Sequence, residues 1–460
     1  MKLNMKRNTL LLLVLPSLLA TAGQAQETLT LQQCREMALQ HNKDIAAAER
    51  QRQRAAYTVK STRGNFFPDL SLNGTGAYST GKTSMGIPGG YLPTGNLDAT
   101  GQLTPDGRVA YLPNIDLHAR LGWLYMGGIT LEQPIFMGGK IVTAYRMAQL
   151  GEGIARQNER LTATDILVKT DEAYAQAVKA KEMKTVADSY HTLLKELLKN
   201  VESGRRHGMT SRNDVLKVQV KLNESELNVR RAENAIRLSA MNLCHYIGRP
   251  LTADIQVSDA LPETTAVPDD ADISHRPEYA LLEQQVALAG QQVKLQRSEL
   301  LPQIGLRASY DYMHGMKVNQ DYLLNRGSAT VLLNVSIPIF HFGERHNKVK
   351  AAKMQLEQTR LEQESKNELM RLELTQALNN LDEARLEKAL AETSLEQAEE
   401  NRRVSLKQYE AGLETLSDHL EAQAIWQKAY ETKVDAAYRL YLSHLHYLKA
   451  AGKLTVSGQF

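Results

Sequence analysis

The 460-residue sequence predicts a mainly α fold with a β-barrel, built from long coiled-coil helices and four membrane β-strands per chain in two structural repeats. Three observations carry this. Segments of the chain match one another at fixed spacings, apolar residues step by three and four over very long stretches, and shorter segments alternate strictly between apolar and polar residues.

The repeat organises the rest. His41-Asn42-Lys43-Asp44-Ile45 lies over His275-Arg276-Pro277-Glu278-Tyr279, and Phe66-Phe67-Pro68-Asp69-Leu70-Ser71-Leu72 lies over Leu300-Leu301-Pro302-Gln303-Ile304-Gly305-Leu306 at the same spacing. Gln133-Pro134-Ile135-Phe136-Met137-Gly138-Gly139 lies over Ile337-Pro338-Ile339-Phe340-His341-Phe342-Gly343 at a shorter one. That second spacing persists through Gly208 over Gly412, Asp214 over Asp418, Leu216 over Leu420 and Gly248 over Gly452. The extra residues of the first copy fall between Leu72 and Gln133, where Gly, Pro, Thr and Asn are dense, so a long loop is predicted over 79–114. The plan is then a first repeat over 26–250, a linker over 251–272 containing Pro262 and Pro268, and a second repeat over 273–460.

Each copy is predicted to begin with a helix, Leu31 to Gly64 in the first and Arg276 to Leu300 in the second. From Lys140 to Ser203 the apolar positions Ala173, Ala180, Met183, Ala187, Tyr190, Leu194, Leu197 and Val201 form a coiled-coil seam. After a turn the pattern resumes at Val215, Val218, Leu222, Val229, Ala232, Ile236 and Leu243. Leu374, Ala377, Leu381, Ala384, Ala391, Leu395 and Ala398 repeat it in the second copy. A helix of roughly 65 residues is about 100 Å long, several times the depth of a globular core. The many seam alanines let helix backbones approach closely and suit side-by-side packing.

Odd positions from Ile115 to Leu131 include Leu117, Ala119, Leu121, Trp123, Tyr125 and Ile129, while Asp116, His118 and Arg120 occupy even ones. Ile304, Leu306, Ala308, Tyr310 and Tyr312 alternate with Gln303, Arg307, Ser309 and Asp311. Ala329 to Ile339 alternates next, with Leu332 breaking the polar side. An outer-membrane strand needs about 9–11 residues of such alternation with aromatics near the interfaces, a placement that Tyr78, Trp123, Tyr125, Tyr310 and Tyr312 fit. Open strand edges cannot sit in lipid, and a closed membrane barrel needs at least about eight strands. Two strands per copy and two copies per chain therefore require several chains, and three would supply about twelve strands.

Residues 1–25 read as a secretory signal: Lys2, Lys6 and Arg7, then the apolar run Leu10–Ala20, then the small-x-small site Gly23-Gln24-Ala25. The run is interrupted by Pro16 and falls short of the roughly 20 residues of a membrane-spanning helix. The chain has 55 Lys+Arg against 52 Asp+Glu, and the excess is the signal's own three basic residues. No basic block remains to bind nucleic acid. The first cysteine, Cys34, does not follow the cleavage site, so the mature N-terminus is expected to be free of lipid. Cys34 and Cys244 are either buried thiols or one disulfide. No Walker loop, His-Glu-x-x-His, Cys-x-x-Cys or Gly-x-Ser-x-Gly occurs, and no catalytic, cofactor-binding or metal-binding residue is predicted. His444 and His446, with His419 nearby, are two apart and do not share a helix face with each other, so the three read as surface or seam histidines; His341 and His346 flank a strand-to-helix junction and read as structural.

In combination, several motifs resemble the TolC family of outer-membrane efflux proteins over nearly the whole chain after the signal. They are Phe67-Pro68 and Leu301-Pro302 entering strands, and Gln133-Pro134-Ile135-Phe136 and Ile337-Pro338-Ile339-Phe340 leaving them. Gly208-x-x-Ser211-x-x-Asp214-Val215-Leu216, Tyr409-x-x-Gly412-x-x-Thr415-x-x-Asp418-x-Leu420 and Ile247-Gly248-Arg249-Pro250 complete the set. The resemblance implies a homotrimer whose strands share one outer-membrane barrel and whose helices form an α-helical tunnel across the periplasm of a Gram-negative bacterium. It further implies a periplasmic adaptor and an inner-membrane RND, ABC or similar transporter as partners, with the pump supplying energy and the channel conducting passively. In the family the two helical turns close the periplasmic tip. The acidic pair at the entrance falls on Asp418 and Glu421, and the polar network between turns on Asn213, Asp214 and Tyr409. Gly208 and Gly412 are turn glycines. Where a familiar member has an arginine this sequence has Glu414, so Arg205, Arg206 or Arg212 on the facing turn would have to substitute. Taken alone, the seams also fit a soluble periplasmic adaptor or scaffold, or a surface adhesin.

Overall fold

The computed structural model describes residues 27–97, 99–258, 261, 272–319 and 321–454. The expected signal, 1–25, and most of the expected linker after Ser258 lie outside them. The chain opens with β1 (Glu27–Leu29), α1 (Leu31–His41) and α2 (Lys43–Gly64). It continues through β2 (Asp69–Ile87), β3 (Gly90–Leu97), β4 (Leu103–Leu112) and β5 (Ile115–Met137) into α3 (Lys140–Arg206) and α4 (Arg212–Tyr246). The second half carries β6 (Ile255–Val257), a 3-10 turn at Ile273–His275, α5 (Pro277–Ser298), β7 (Gln303–Val318), β8 (Asp321–Ser336), α6 (Glu344–Glu410) and α7 (Leu416–Ala450). The copies match in length: α2 and α5 have 22 residues each, α3 and α6 have 67, and α4 and α7 have 35.

Two compact units divide these elements. One takes in Ala48–Arg160 and Pro277–Leu369, the other the chain up to Ala47, Leu161–Arg276 and Met370 onward. In the first unit β2, β5, β7 and β8 form one antiparallel sheet in that order. Its register shows why the alternation matters. Leu70, Leu131, Ala308 and Val331 stand in one cross-strand row, and Leu72, Ile129, Tyr310 and Ala329 in another. The intervening rows, Ser71-Thr130-Ser309-Thr330 and Asn73-Gly128-Asp311-Ser328, point to the opposite face. The apolar rows are not covered: Leu70, Leu72, Ile129, Tyr310, Val331 and Leu333 are all exposed. Among the described residues, β2 and β8 each pair on one side only.

The long loop expected over 79–114 is corrected to structured chain: β2 runs on to Ile87 and β3 pairs with β4 as a separate two-stranded ribbon. Pro93 and Pro105 hid these strands, since proline is excluded from central strands but tolerated where only one side is paired. At the other end, the alternation predicted to Ile339 stops at Ser336, because Pro338 cannot donate to a ladder.

Where β5 ends, Gly138 has φ +61°, and a Cβ there would lie 2.5 Å from the Ser298 carbonyl oxygen and 2.8 Å from Leu301 Cβ. Gly138→Ala is therefore expected to cost at least about 1 kcal/mol from the left-handed backbone alone, read as a lower unfolding temperature of the detergent-solubilised protein. An unchanged temperature would mean that this junction is loosely packed.

In the helical unit, the first helix predicted as Leu31–Gly64 is interrupted at Asn42, whose backbone is extended (φ −68°, ψ 132°). The Asn42 amide oxygen accepts the Asp44 N–H at 2.8 Å and its amide nitrogen donates to the Tyr246 carbonyl at 2.9 Å. One side chain thus caps α2 and ties it to the end of α4, compensating the break. Within the expected linker, β6 pairs in parallel with β1. Tyr174 from α3 holds that small sheet through Ser258 Oγ at 2.8 Å.

The core beside it gathers Leu29, Cys34, Tyr174, Val178, Leu243, Cys244 and Tyr441. Both cysteines are free thiols, and burial pushes the Cys34 thiol up to about 12, so it stays protonated and unreactive. Asp171, fully buried on α3, accepts from both nitrogens of the Arg35 fork (Nε at 2.8 Å) and from the Tyr441 hydroxyl at 3.2 Å. No helix is long and apolar enough to cross a membrane among the described residues.

Candidate functional site: the two helical turns

The turns α3–α4 and α6–α7 are built alike. Each first helix ends on a glycine in the left-handed region, Gly208 at φ +77° and Gly412 at φ +74°. Met209 N–H then reaches the Gly204 carbonyl at 2.9 Å, and Leu413 N–H reaches that of Gln408 at 2.8 Å. These six-to-one bonds satisfy carbonyls that the helix end leaves without partners. Each second helix starts with a reciprocal capping box. Asp214 N–H donates to Ser211 Oγ at 3.1 Å while Ser211 N–H donates to Asp214 Oδ2 at 3.1 Å. Thr415 and Asp418 repeat both bonds at 3.3 Å. The Ser211 hydrogen bond, above all, holds the Asp214 carboxyl below its ordinary range.

Of the residues singled out from sequence, Asp418 and Glu421 lie exposed on the first two turns of α7, about one helical turn apart. One Asp418 oxygen is committed to the cap, accepting Thr415 Oγ1 at 2.7 Å. In the first copy the counterpart of Glu421 is Lys217, which donates to Ser417 Oγ at 3.0 Å and so links the two turns of one chain. Asn213 and the arginines Arg205, Arg206 and Arg212 are exposed. Tyr409 is half-buried; burial raises its phenol, and the Asp214 charge adds to the shift.

Glu414, partly buried at the end of the second turn, accepts a hydrogen bond from Ser405 Oγ within its own chain. It belongs to a buried polar cluster that sequence reasoning missed. His419 is 1% exposed and stacks on Tyr409 with ring centroids 5.4 Å apart and planes 5° apart. Its Nδ1 lies 3.1 Å from Ser405 Oγ, and Ser405 Oγ donates to Glu414 Oε1 at 3.0 Å. Its Nε2 lies 2.9 Å from the Gln423 amide nitrogen. Since that amide donates, Nε2 accepts and Nδ1 carries the proton, an assignment made from the network. Burial lowers the His419 pKa, Glu414 and Glu410 oppose that, and Arg402 adds to it. The Arg402 guanidinium itself lies 4.5 Å over the Trp426 ring.

The signal that locates the cluster is the repeat itself. His419 and Ser405 occupy the seam positions of Val215 and Val201, and Trp426 and Arg402 those of Leu222 and Leu198. Val201, Val215, Leu416 and Trp426 sit in one core drawn from both hairpins, so the second copy has put a hydrogen-bonded serine and histidine where the first keeps two valines. Two further histidines of α7 stand apart: His444 is buried, and that burial with the Arg385 charge lowers its pKa, while His446 lies 3.6 Å from Glu172. Among the described residues no cluster of three or more His, Cys, Asp or Glu has the arrangement of a metal site.

Comparison with known proteins places this architecture. The alkaline protease secretion protein AprF of Pseudomonas aeruginosa is 25% identical over 228 residues, a stretch that covers 48% of this chain and 47% of AprF. The outer membrane efflux protein BepC of Brucella suis is 21% identical over 330 residues, covering 71% of this chain and 72% of BepC. In structure, the Campylobacter jejuni CmeC outer membrane channel superposes with a TM-score of 0.75 at 18% identity over 93% of this chain and 87% of CmeC. The open state of the Neisseria gonorrhoeae MtrE outer membrane channel gives 0.72 at 16% identity over 94% and 91%. At such identities the likeness establishes the fold. A family model of outer membrane efflux proteins matches residues 34–249 and 271–452, and on that match the chain belongs to the outer membrane efflux protein family.

Proposed function

We propose that the chain works as a homotrimeric outer-membrane channel-tunnel of a tripartite efflux or secretion system, passively conducting cargo delivered by an inner-membrane transporter through a periplasmic adaptor. The observation that carries this is the four-stranded sheet: its apolar rows are uncovered and, among the described residues, both its edges are open. Unpaired edges cost several kcal/mol per group in lipid, so the sheet must be completed by other chains. An apolar stripe along α6, including Met354, Leu361, Leu372, Leu386 and Leu390, is likewise exposed in a single chain. It supports the same reading, since a neighbouring protomer would cover it. Outer-membrane fractionation and a trimer on gels that separates on heating are expected. A soluble monomer, as a periplasmic scaffold would be, sinks the proposal.

Asp418 and Glu421 are proposed to line the closed tip, where a trimer would present six carboxylates to permeating ions. Glu421→Gln together with Asp418→Asn, which keeps an acceptor for the Thr415 cap, is expected to bring the cation-to-anion permeability ratio of the reconstituted channel towards unity and to weaken block by trivalent cations. Unchanged selectivity would remove both residues from the entrance.

A further inference from the structure

At the foot of the sheet the repeat is broken in one informative place. Gly138, which needs both a left-handed backbone and the absence of a side chain, has Phe342 as its counterpart in the second copy. Phe342 keeps the same unusual backbone, with φ +44°, and is 93% exposed. A bulky residue in that region is strained unless something outside its own backbone compensates.

The first copy shows what this position touches. Gly138 follows the last residue of β5 and faces Ser298 and Leu301, the residues that lead into the neighbouring strand β7. The repeat carries Ser298 onto Gly64 and Leu301 onto Phe67, the residues that lead into β2. Among the described residues of one chain β8 has no pairing with β2, and these two strands are the open edges of the sheet. The contact that Gly138 makes inside the chain therefore has its second instance between the end of β8 in one copy and the start of β2 in the next. The sizes are complementary. Where a glycine meets a serine and a leucine in the chain, a phenylalanine would meet a glycine and a phenylalanine across copies. A Cβ on Gly64 would have nothing within 4 Å, and Phe67 is 60% exposed. The neighbouring Phe66 is already engaged by Tyr145 of its own chain, with ring centroids 5.8 Å apart. Phe340 stacks edge-on against Phe342 at 4.9 Å and widens the same apolar knob.

We propose that Phe342 of one protomer seats against Gly64 and Phe67 of a second copy of this chain, an aromatic lock at the root of the seam that closes the barrel. The lock rests on the multi-chain reading given above, and the test separates the two. In full-length protein assembled in the outer membrane, Phe342→Cys combined with Phe67→Cys is expected to give covalent dimers and trimers on oxidation, while each single variant gives none. The native thiols are buried and serve as the internal control. Phe342→Gly sharpens the sign: it relieves the backbone strain, so a residue with no partner would leave the trimer equally or more heat-resistant. The lock requires it to separate at a lower temperature. A heat-labile trimer that forms normally but neither cross-links nor weakens in Phe342→Gly would put the side chain in lipid or solvent and overturn the lock alone. Absence of any oligomer in the unaltered protein would overturn the multi-chain reading, and the lock with it.

Discussion

Arg35→Met is expected to destabilise the helical unit by about 3–5 kcal/mol, the range for stripping one partner from a buried ion pair. Asp171 would be left buried with the Tyr441 hydroxyl as its remaining donor in that network. Because Arg35 lies on α1 and Asp171 on α3, the loss falls on the anchoring of the N-terminal helix. Replacing both members with apolar residues of similar volume, as in Arg35→Met with Asp171→Leu, is expected to recover most of the loss, since it removes the uncompensated carboxylate. Denaturant unfolding of the detergent-solubilised protein distinguishes these outcomes. If Arg35→Met cost under about 1 kcal/mol, as exposed pairs do, the carboxylate would have to be hydrated.

Mild acid is expected to loosen the second turn and not the first. An unfolded histidine takes up its proton near pH 6.5. His419 in the folded turn does so at lower pH, because burial disfavours its charge, Arg402 repels it, and Glu414 and Glu410 only partly offset these effects. From the facing hairpin, Asp214 acts on the Tyr409 ring stacked against it. In the interval between the two pKa values the unfolded turn binds more protons. Stability is therefore full above about pH 6.5 and falls as the pH drops towards the folded value, by at most about 1.4 kcal/mol per pH unit. Protonation also turns Nε2 into a donor facing the donating Gln423 amide, which must rotate to accept. Hydrogen exchange at 411–423 against pH reads this directly. His419→Val with Ser405→Val, the residues of the first copy, should abolish the dependence. If the double variant responds to acid as the parent does, another group carries the effect.

What was legible in the sequence was whatever repeats. Alternation placed β5, β7 and β8 because a sheet with one apolar face must keep period two, the repeat placed β2 opposite β7, and the seams placed the long helices because a coiled coil must keep three-and-four steps. What was not legible depends on single side chains or long-range pairing. Asn42 breaks a helix whose periodicity gives no warning, because its amide takes over two backbone bonds. The β3–β4 ribbon has no buried face to impose alternation, and β6 is three residues that are a strand only because β1 lies beside them. At the turns, motif matching found the glycines and capping aspartates but left His419 without its network, because its partners Ser405 and Gln423 become neighbours only once the hairpin is folded. Glu414, read as a departure from an arginine network, turned out to anchor a different network.

The equal lengths of the paired helices set which kinds of sequence change this chain can absorb. A single residue inserted into α3, α4, α6 or α7 would advance everything beyond it by about 1.5 Å and turn it by about 100°. Lys217 would be carried away from Ser417, and the seam residues shared by the two hairpins would lose their partners. The ribbon β3–β4, paired only with itself among the described residues, can lengthen or shorten without disturbing any of this. Insertions and deletions among relatives should therefore collect at that ribbon, whereas the helical arms should vary by substitution, or by matched changes in both arms of a hairpin.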